Sequence, residues 1–172
     1  MGFYERIVAM QGTLERVARK LPGFAGYLER EDRRAADELL RGKLVRIYGE
    51  SLDMLTRLEN QLVDEGGMAY MEQVQRIDTE LVTFIDRVRT AARGYGGAFD
   101  AVKVDEAALG KLYAFDEALL VYSDQLAGGL ASLRESIGSE TVKGVLDELD
   151  MLLAEMRNVL NRRSEALLSL QS

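Results

Sequence analysis

The chain contains no histidine, no cysteine and no tryptophan, and one proline among its 172 residues. Without imidazole and thiol groups it cannot build disulfides, zinc sites of His and Cys, Ser-His-Asp triads or a histidine-ligated haem. The Glu-x-x-His pairs of ferritin-like di-iron bundles are excluded for the same reason. We therefore predict no cofactor and expect a protein that is not an enzyme.

Long apolar runs are also absent. No stretch approaches the roughly eighteen uncharged apolar residues that a membrane-spanning helix requires. Glu5 and Arg6 stand where a secretory signal would carry an unbroken apolar run. The default expectation is a cytoplasmic protein, with a peripheral place on the inner face of the membrane as the alternative.

The residues that are present favour helix. Hydrophobic residues make up 47% and charged residues 30% of the chain, a balance typical of a globular rather than a disordered protein. Leu, Ala, Glu and Arg are abundant, and all four are good or acceptable helix formers. The length suits one domain. We predict a single all-α domain over residues 1–172, an elongated antiparallel bundle of about five helices.

Glycine and proline mark the ends of the predicted helices. Pro22–Gly23, Gly66–Gly67, the glycine-rich stretch 94–97 and Gly138–Ser139 each interrupt a helical pattern. Asp105 is the predicted N-cap of the fourth helix, and Ser139 that of the fifth. The predicted helices cover residues 3–20, 27–64, 70–95, 105–137 and 142–170.

Apolar residues recur at helical spacing and define one predicted core stripe on each long helix. In the second helix the stripe is Leu40, Leu44, Ile47, Ser51, Leu55, Leu58 and Leu62. In the third it is Tyr70, Val74, Ile77, Leu81, Phe84, Val88, Ala91 and Tyr95. In the fourth it is Leu112, Phe115, Leu119, Tyr122, Leu126, Leu130, Leu133 and Ile137. In the fifth it is Val142, Leu146, Leu149, Leu153, Met156, Leu160, Arg163, Leu167 and Leu170. Alternating steps of three and four predict coiled-coil-like heptad seams.

Arg163 is the charged member of the fifth seam, where an unpaired charge would cost several kcal/mol. We expect it to extend to solvent or to meet an acidic partner; the alternative is that the last heptads meet another chain. Asp116 and the cluster Asp147, Glu148 and Asp150 are chemically able to hold a hard cation. We favour solvated charges or partners of Arg there, and predict no metal site. Gly42 and Gly49 share a helix face and predict a closely packed neighbour.

The loop at residues 94–104 is the predicted place for a ligand, because glycines flank aromatic residues and cationic side chains lie close in sequence. An anion, a carboxylate-bound metal or a partner peptide are the candidate ligands. The favoured interpretation is that the aromatic side chains close the end of the bundle. The candidate residues are Arg87, Arg93, Tyr95, Phe99, Lys103 and Tyr113.

The first helix is amphipathic and carries more basic than acidic residues, which suits an anionic membrane or a partner surface. Its candidate contact residues are Phe3, Tyr4, Ile7, Arg16, Arg19 and Lys20. The opening Met1–Gly2–Phe3–Tyr4 with this amphipathic stretch loosely resembles the phage-shock-protein-A family, which implies membrane contact. The glycine-broken helices that follow depart from that family, and the chain is not assigned to it.

The net charge of −7 lies in one part of the chain, since residues 105–158 hold 11 acidic and 4 basic side chains and the remaining charges cancel. An acidic surface repels phosphate backbones, so we predict no nucleic-acid partner. The sequence favours a non-enzymatic scaffold or protein-interaction module that binds another protein or itself. The alternatives are a membrane adaptor acting through residues 1–21, and a metal or small-anion binder at the 94–104 loop.

Overall fold

The computed structural model describes residues 15–23, 33–91 and 106–169. Within them, residues 15–20 are helical, and four longer helices follow: α1 (Arg33–Asp64), α2 (Met71–Thr90), α3 (Glu106–Ser136) and α4 (Val142–Leu168). A short 3-10 helix, Met68–Tyr70, precedes α2. The all-α bundle of five helices predicted from the sequence is confirmed. Some predictions fall outside the described residues. They are the first part of the first helix, the start of the second helix, the N-cap Asp105, the 94–104 loop and the last residues of the fifth helix.

Glycines end the helices where the sequence predicts. After α1, the Gly66 N–H donates to the Val63 carbonyl at 3.1 Å and the Gly67 N–H to the Leu62 carbonyl at 2.7 Å. This pair of bonds, with Gly66 at φ 80°, is the Schellman arrangement, which satisfies carbonyls that a helix end leaves free. Gly138 has φ 85° after α3. Turns this short make α1 and α2 one antiparallel hairpin and α3 and α4 a second one.

The two hairpins pack side by side, with α1 contacting α2 and α3 while α4 contacts α2 and α3. The α2–α4 contacts keep a constant separation in sequence: Arg76 reaches Asp150, and Arg87 reaches Asn161, each 74 residues on. Such a constant separation means that α2 and α4 are parallel. Because each hairpin is antiparallel, α1 and α3 are parallel too. Most of the apolar side chains buried between these helices form one continuous cluster, and Leu112 and Leu167 form a small second one.

The predicted stripes of α2 and α4 are confirmed by burial, since their described apolar members are buried or half-buried. The stripes of the other two helices are off by one residue at four places, one of them at the end of α3, where Ser136 is buried and the predicted Ile137 is half-buried. In α1 the fully buried side chain is Tyr48, while Ile47 is half-buried. In α3 the buried residues are Asp116 and Ser123, while the predicted Phe115 and Tyr122 are half-buried. The buried α3 side chains are Leu112, Tyr113, Asp116, Leu119, Leu120, Ser123, Leu126, Leu130, Leu133 and Ser136.

Two smaller predictions are wrong. A Cβ built on Gly42 or Gly49 would meet no atom within 4 Å, so neither glycine admits a close neighbour in the described part of the chain. The N-cap of α4 is Thr141 rather than Ser139. Ser139 instead accepts a hydrogen bond from the Thr141 N–H at 3.2 Å and donates one to the Ser136 carbonyl at 2.7 Å, which ties the turn to the end of α3.

Candidate functional site

Arg163 and Asp116 form an ion pair inside the bundle, between α4 and α3. The Arg163 Nε lies 2.5 Å from Asp116 Oδ1, and Nη2 lies 3.2 Å from Oδ2. Both residues are almost completely buried, with exposures of 4% and 2%. The guanidinium fork therefore meets the carboxylate with two parallel hydrogen bonds, the geometry that best offsets removal of both charges from water. Of the expectations for Arg163, the acidic partner is the one that the structure shows.

This pair explains the misplaced stripe of α3. Asp116 occupies the heptad position that faces the α4 seam, and Ser123 follows it seven residues later. The Ser123 hydroxyl donates to the Leu120 carbonyl at 2.6 Å, so this buried polar group is also satisfied. A search for apolar spacing passes over both residues. The signal that could have located them is Arg163 itself, because a charge in one seam requires an opposite charge in the facing seam.

A row of polar contacts joins α2 to α4 on the bundle surface. The Gln73 side-chain amide donates to Asp147 at 2.8 Å and to Asp150 at 2.7 Å, and Arg76 donates to Asp150 at 2.8 Å. Hydrogen bonds from Lys143 and then Gln73 hold the pKa of Asp147 below its usual value. These carboxylates therefore act as partners of cationic and amide groups. Among the residues the structure describes, no three His, Cys, Asp or Glu side chains come together as a metal site would require.

Two of the candidate residues around the 94–104 loop are described, and they have different roles. Arg87 is half-buried and donates to Asn161 Oδ1 at 2.7 Å, beside a crevice of about 90 Å³ that Arg157 also lines. Tyr113 is buried, with 7% of its surface exposed, and belongs to the apolar cluster. The other candidates, Arg93, Tyr95, Phe99 and Lys103, lie outside the described residues.

The N-terminal segment, residues 15–23, packs on the bundle. Val17 and Leu21 are buried in the apolar cluster. Arg16 forms an ion pair with Glu117 of α3, and Lys20 Nζ lies 3.0 Å from Asp124 Oδ2. The paired residues are 101 and 104 positions apart, so the helical part of the segment runs parallel to α3.

These contacts bear on the predicted membrane face of the first helix. Arg19 is exposed, while Phe3, Tyr4 and Ile7 lie outside the described residues. Binding of this segment to a membrane through its apolar side would have to uncover Val17 and Leu21. Among the described residues, no helix combines the length and apolar character needed to cross a membrane.

An apolar cleft of about 280 Å³ lies between α1 and α3, and its α3 residues follow those that pair with the N-terminal segment. Its floor and walls are mostly apolar, and two small side chains, Ala127 and Ala131, are exposed along its α3 side. Glu50 on α1 and Arg134 on α3 stand at its rim, and neither forms an ion pair with another described residue. The cleft is lined by Ile47, Glu50, Ser51, Met54, Ala127, Leu130, Ala131 and Arg134. We call it the α1/α3 cleft.

The sequence reasoning missed the α1/α3 cleft because it sought charged and aromatic clusters. The available signal was the pair Ala127 and Ala131, one helical turn apart and outside the predicted α3 stripe. A larger cavity, of about 590 Å³, is lined by Leu21 and Pro22 and by α1 residues between 38 and 46. Residues 24–32, which follow in the chain, lie outside the described part, and we assign no site to this cavity. Comparisons with protein families, with curated proteins and with solved structures give no match to this chain.

Proposed function

We propose that the protein is a helical-bundle interaction module that works by binding a protein partner along the groove between α1 and α3. The α1/α3 cleft is the observation that supports this proposal. It presents half-buried Ile47 and Met54 together with exposed Ala127 and Ala131, so an occupant would remove apolar surface from water. Burial of apolar surface is the main driving force of protein association.

The size and position of the cleft suit a protein better than a small molecule. Its volume of about 280 Å³ falls just below the roughly 300–1,000 Å³ of ordinary ligand pockets. It also lies further along α3 from a stretch that already binds a segment of the chain, since Glu117 and Asp124 pair with Arg16 and Lys20. An extended groove between helices is a recurring way to bind a protein segment.

The test is site-specific photo-crosslinking in cells. A photoreactive amino acid replaces Ala131, which lines the cleft, and the matched control replaces Ser132, its exposed neighbour outside the cleft. We expect a discrete protein adduct from position 131 and none, or much less, from position 132. An adduct with a second copy of the chain would identify the partner as the protein itself. Equal labelling at both positions, or no adduct at 131, contradicts the proposal.

A further inference from the structure

Resting on the proposed function, we infer that the partner of the α1/α3 cleft is a single amphipathic helix. The helix presents two aliphatic side chains one turn apart to the cleft floor. It carries a basic residue on the flank facing Glu50 and an acidic residue on the flank facing Arg134. The chain's own N-terminal segment provides the pattern for this mode of binding.

The N-terminal segment shows how the bundle surface beside α3 binds a short helical segment. Val17 and Leu21, spaced i and i+4, are buried to 0% and 2% exposure. Arg16 and Lys20, also spaced i and i+4, pair with Glu117 and Asp124 on the α3 side. One part of the bundle surface beside α3 is thus already covered by a segment that buries an aliphatic pair and pairs its flanking charges with carboxylates of α3. The α1/α3 cleft lies further along α3 in the same direction, since its α3 residues begin at Ala127, three positions beyond Asp124.

The shape of the cleft also favours a helix. Its α1 side runs from Ile47 to Met54, seven residues and therefore about 10 Å along the axis, which is two helical turns. That length accommodates two anchor side chains spaced one turn apart. The α3 side of the cleft carries the small side chains of Ala127 and Ala131, and small side chains allow the backbone of another helix to approach closely.

Charge at the rim sets the orientation of the helix. Glu50 and Arg134 have opposite signs and stand on opposite walls, and neither is used in an ion pair with another described residue. A helix with a base on one flank and an acid on the other satisfies both rims at once, whereas the reverse arrangement brings like charges together. Complementary charges of this kind mainly control specificity and orientation.

The test uses selection from two displayed peptide libraries of equal length against the full-length protein. One library has a proline-free, alanine-rich helical framework with random apolar and flanking positions, and the other has a central proline that prevents a continuous helix. We expect enrichment from the helical library alone, with aliphatic residues at i and i+4, an acid on one flank and a base on the other.

Affinities of the selected peptides are then measured on two matched variants, Ala131→Glu in the cleft and Ser132→Glu beside it. A carboxylate in the apolar cleft should weaken binding at least about tenfold, and the neighbouring substitution should leave it unchanged. Arg134→Glu should weaken peptides with the acidic flank and favour those with that charge reversed. The inference is overturned if the selected peptides bind Ala131→Glu with unchanged affinity. It is also overturned if the proline library is enriched, or if neither library is enriched. A crosslink at position 131 together with any of these results would leave the proposed function standing and reject only the helical partner.

Discussion

The ion pair between Asp116 and Arg163 makes the sharpest prediction about the bundle. The perturbation is a pair of substitutions that keep side-chain size roughly constant while removing charge: Asp116→Leu, Arg163→Met, and the two combined. Leucine is already the usual core residue of α3, and methionine has an unbranched side chain that adapts to the shape of its surroundings.

The magnitude follows from the burial of both partners. Removal of one member of a buried pair leaves an uncompensated charge, and such changes cost about 3–5 kcal/mol. Replacement of both members removes the charges together, and comparable replacements are neutral or stabilising by about 1–4 kcal/mol. With exposures of 2% and 4%, Asp116 and Arg163 are in this regime. Each single variant should therefore lose about 3–5 kcal/mol, and the double variant should be at least as stable as the unmodified protein.

The assay is urea unfolding followed by circular dichroism, with stabilities combined in a double-mutant cycle. The matched control is the surface pair Arg76 and Asp150, whose side chains are 52% and 25% exposed. Its coupling energy should be about 0.2–1 kcal/mol, typical of exposed pairs. The reasoning fails if the Asp116–Arg163 coupling is as small as the control, or if the double variant loses the sum of the two single losses.

Two further predictions concern single side chains. Gly128→Ala should stabilise the protein by about 0.5–1 kcal/mol in urea unfolding, because a Cβ at this position in α3 meets nothing within 4 Å. Gly129→Ala should be less stable than Gly128→Ala by about 1 kcal/mol or more, because its Cβ would lie 2.7 Å from the buried side chain of Leu149. Equal gains from the two variants would contradict this prediction. Burial and then the charge of Asp78 raise the pKa of Glu59 above its usual 4.5, so the folded state binds the proton more tightly and loses stability as pH rises through that pKa. Glu59→Gln should therefore stabilise the protein at pH 7 by up to about 1 kcal/mol, and the gain should disappear below pH 4.5. Urea unfolding at a series of pH values measures this. A gain that does not change with pH would contradict the raised pKa of Glu59.

Much of the fold follows from patterns that act locally. The breaks at Pro22–Gly23, Gly66–Gly67 and Gly138 coincide with turns, because one glycine in each adopts the positive φ that other residues avoid. The seams of α2 and α4 are also predictable. Nearly every buried position in them is apolar, and neither helix offers a second apolar stripe that fits the heptad spacing equally well. The order in which the helices pack depends on side-chain fit between distant segments, and spacing within one helix carries no information about it.

The candidate site was less predictable for a related reason. A cleft forms where small side chains on two facing helices leave space between them. Ala127 and Ala131 can therefore be recognised as lining a cleft only once α1 is known to lie beside α3. Tyr48 is a similar case. Its hydroxyl donates to the Leu119 carbonyl of α3 at 2.6 Å, and its ring meets Phe84 of α2 edge-on at 4.8 Å. Those two partners make a polar aromatic side chain a better core residue than the neighbouring Ile47, and neither partner is visible within α1.

The rotation of α3 about its own axis links the fold to the buried ion pair. Two stripes compete on this helix, one through Phe115 and Tyr122 and one through Asp116 and Ser123. They share the leucines of the helix and differ by a modest rotation about its axis, which is enough to exchange two side chains that point about 100° apart. Apolar burial alone favours the first stripe, yet the structure has the second. We attribute the difference to the guanidinium of Arg163, because Asp116 is the carboxylate that meets it.

Removal of the Arg163 guanidinium should therefore allow α3 to turn about its own axis. An Arg163→Leu variant removes the guanidinium that meets Asp116 with two hydrogen bonds, and turning α3 towards the Phe115 stripe exposes the carboxylate while it buries an aromatic ring. The chain has no tryptophan, so Phe115→Trp supplies a single fluorescent reporter. Its emission should shift to shorter wavelength when Arg163→Leu is added and stay unchanged when the control Arg76→Leu is added. An unchanged emission from a folded Phe115→Trp/Arg163→Leu protein would show that packing of the other helices, rather than the ion pair, sets the rotation of α3.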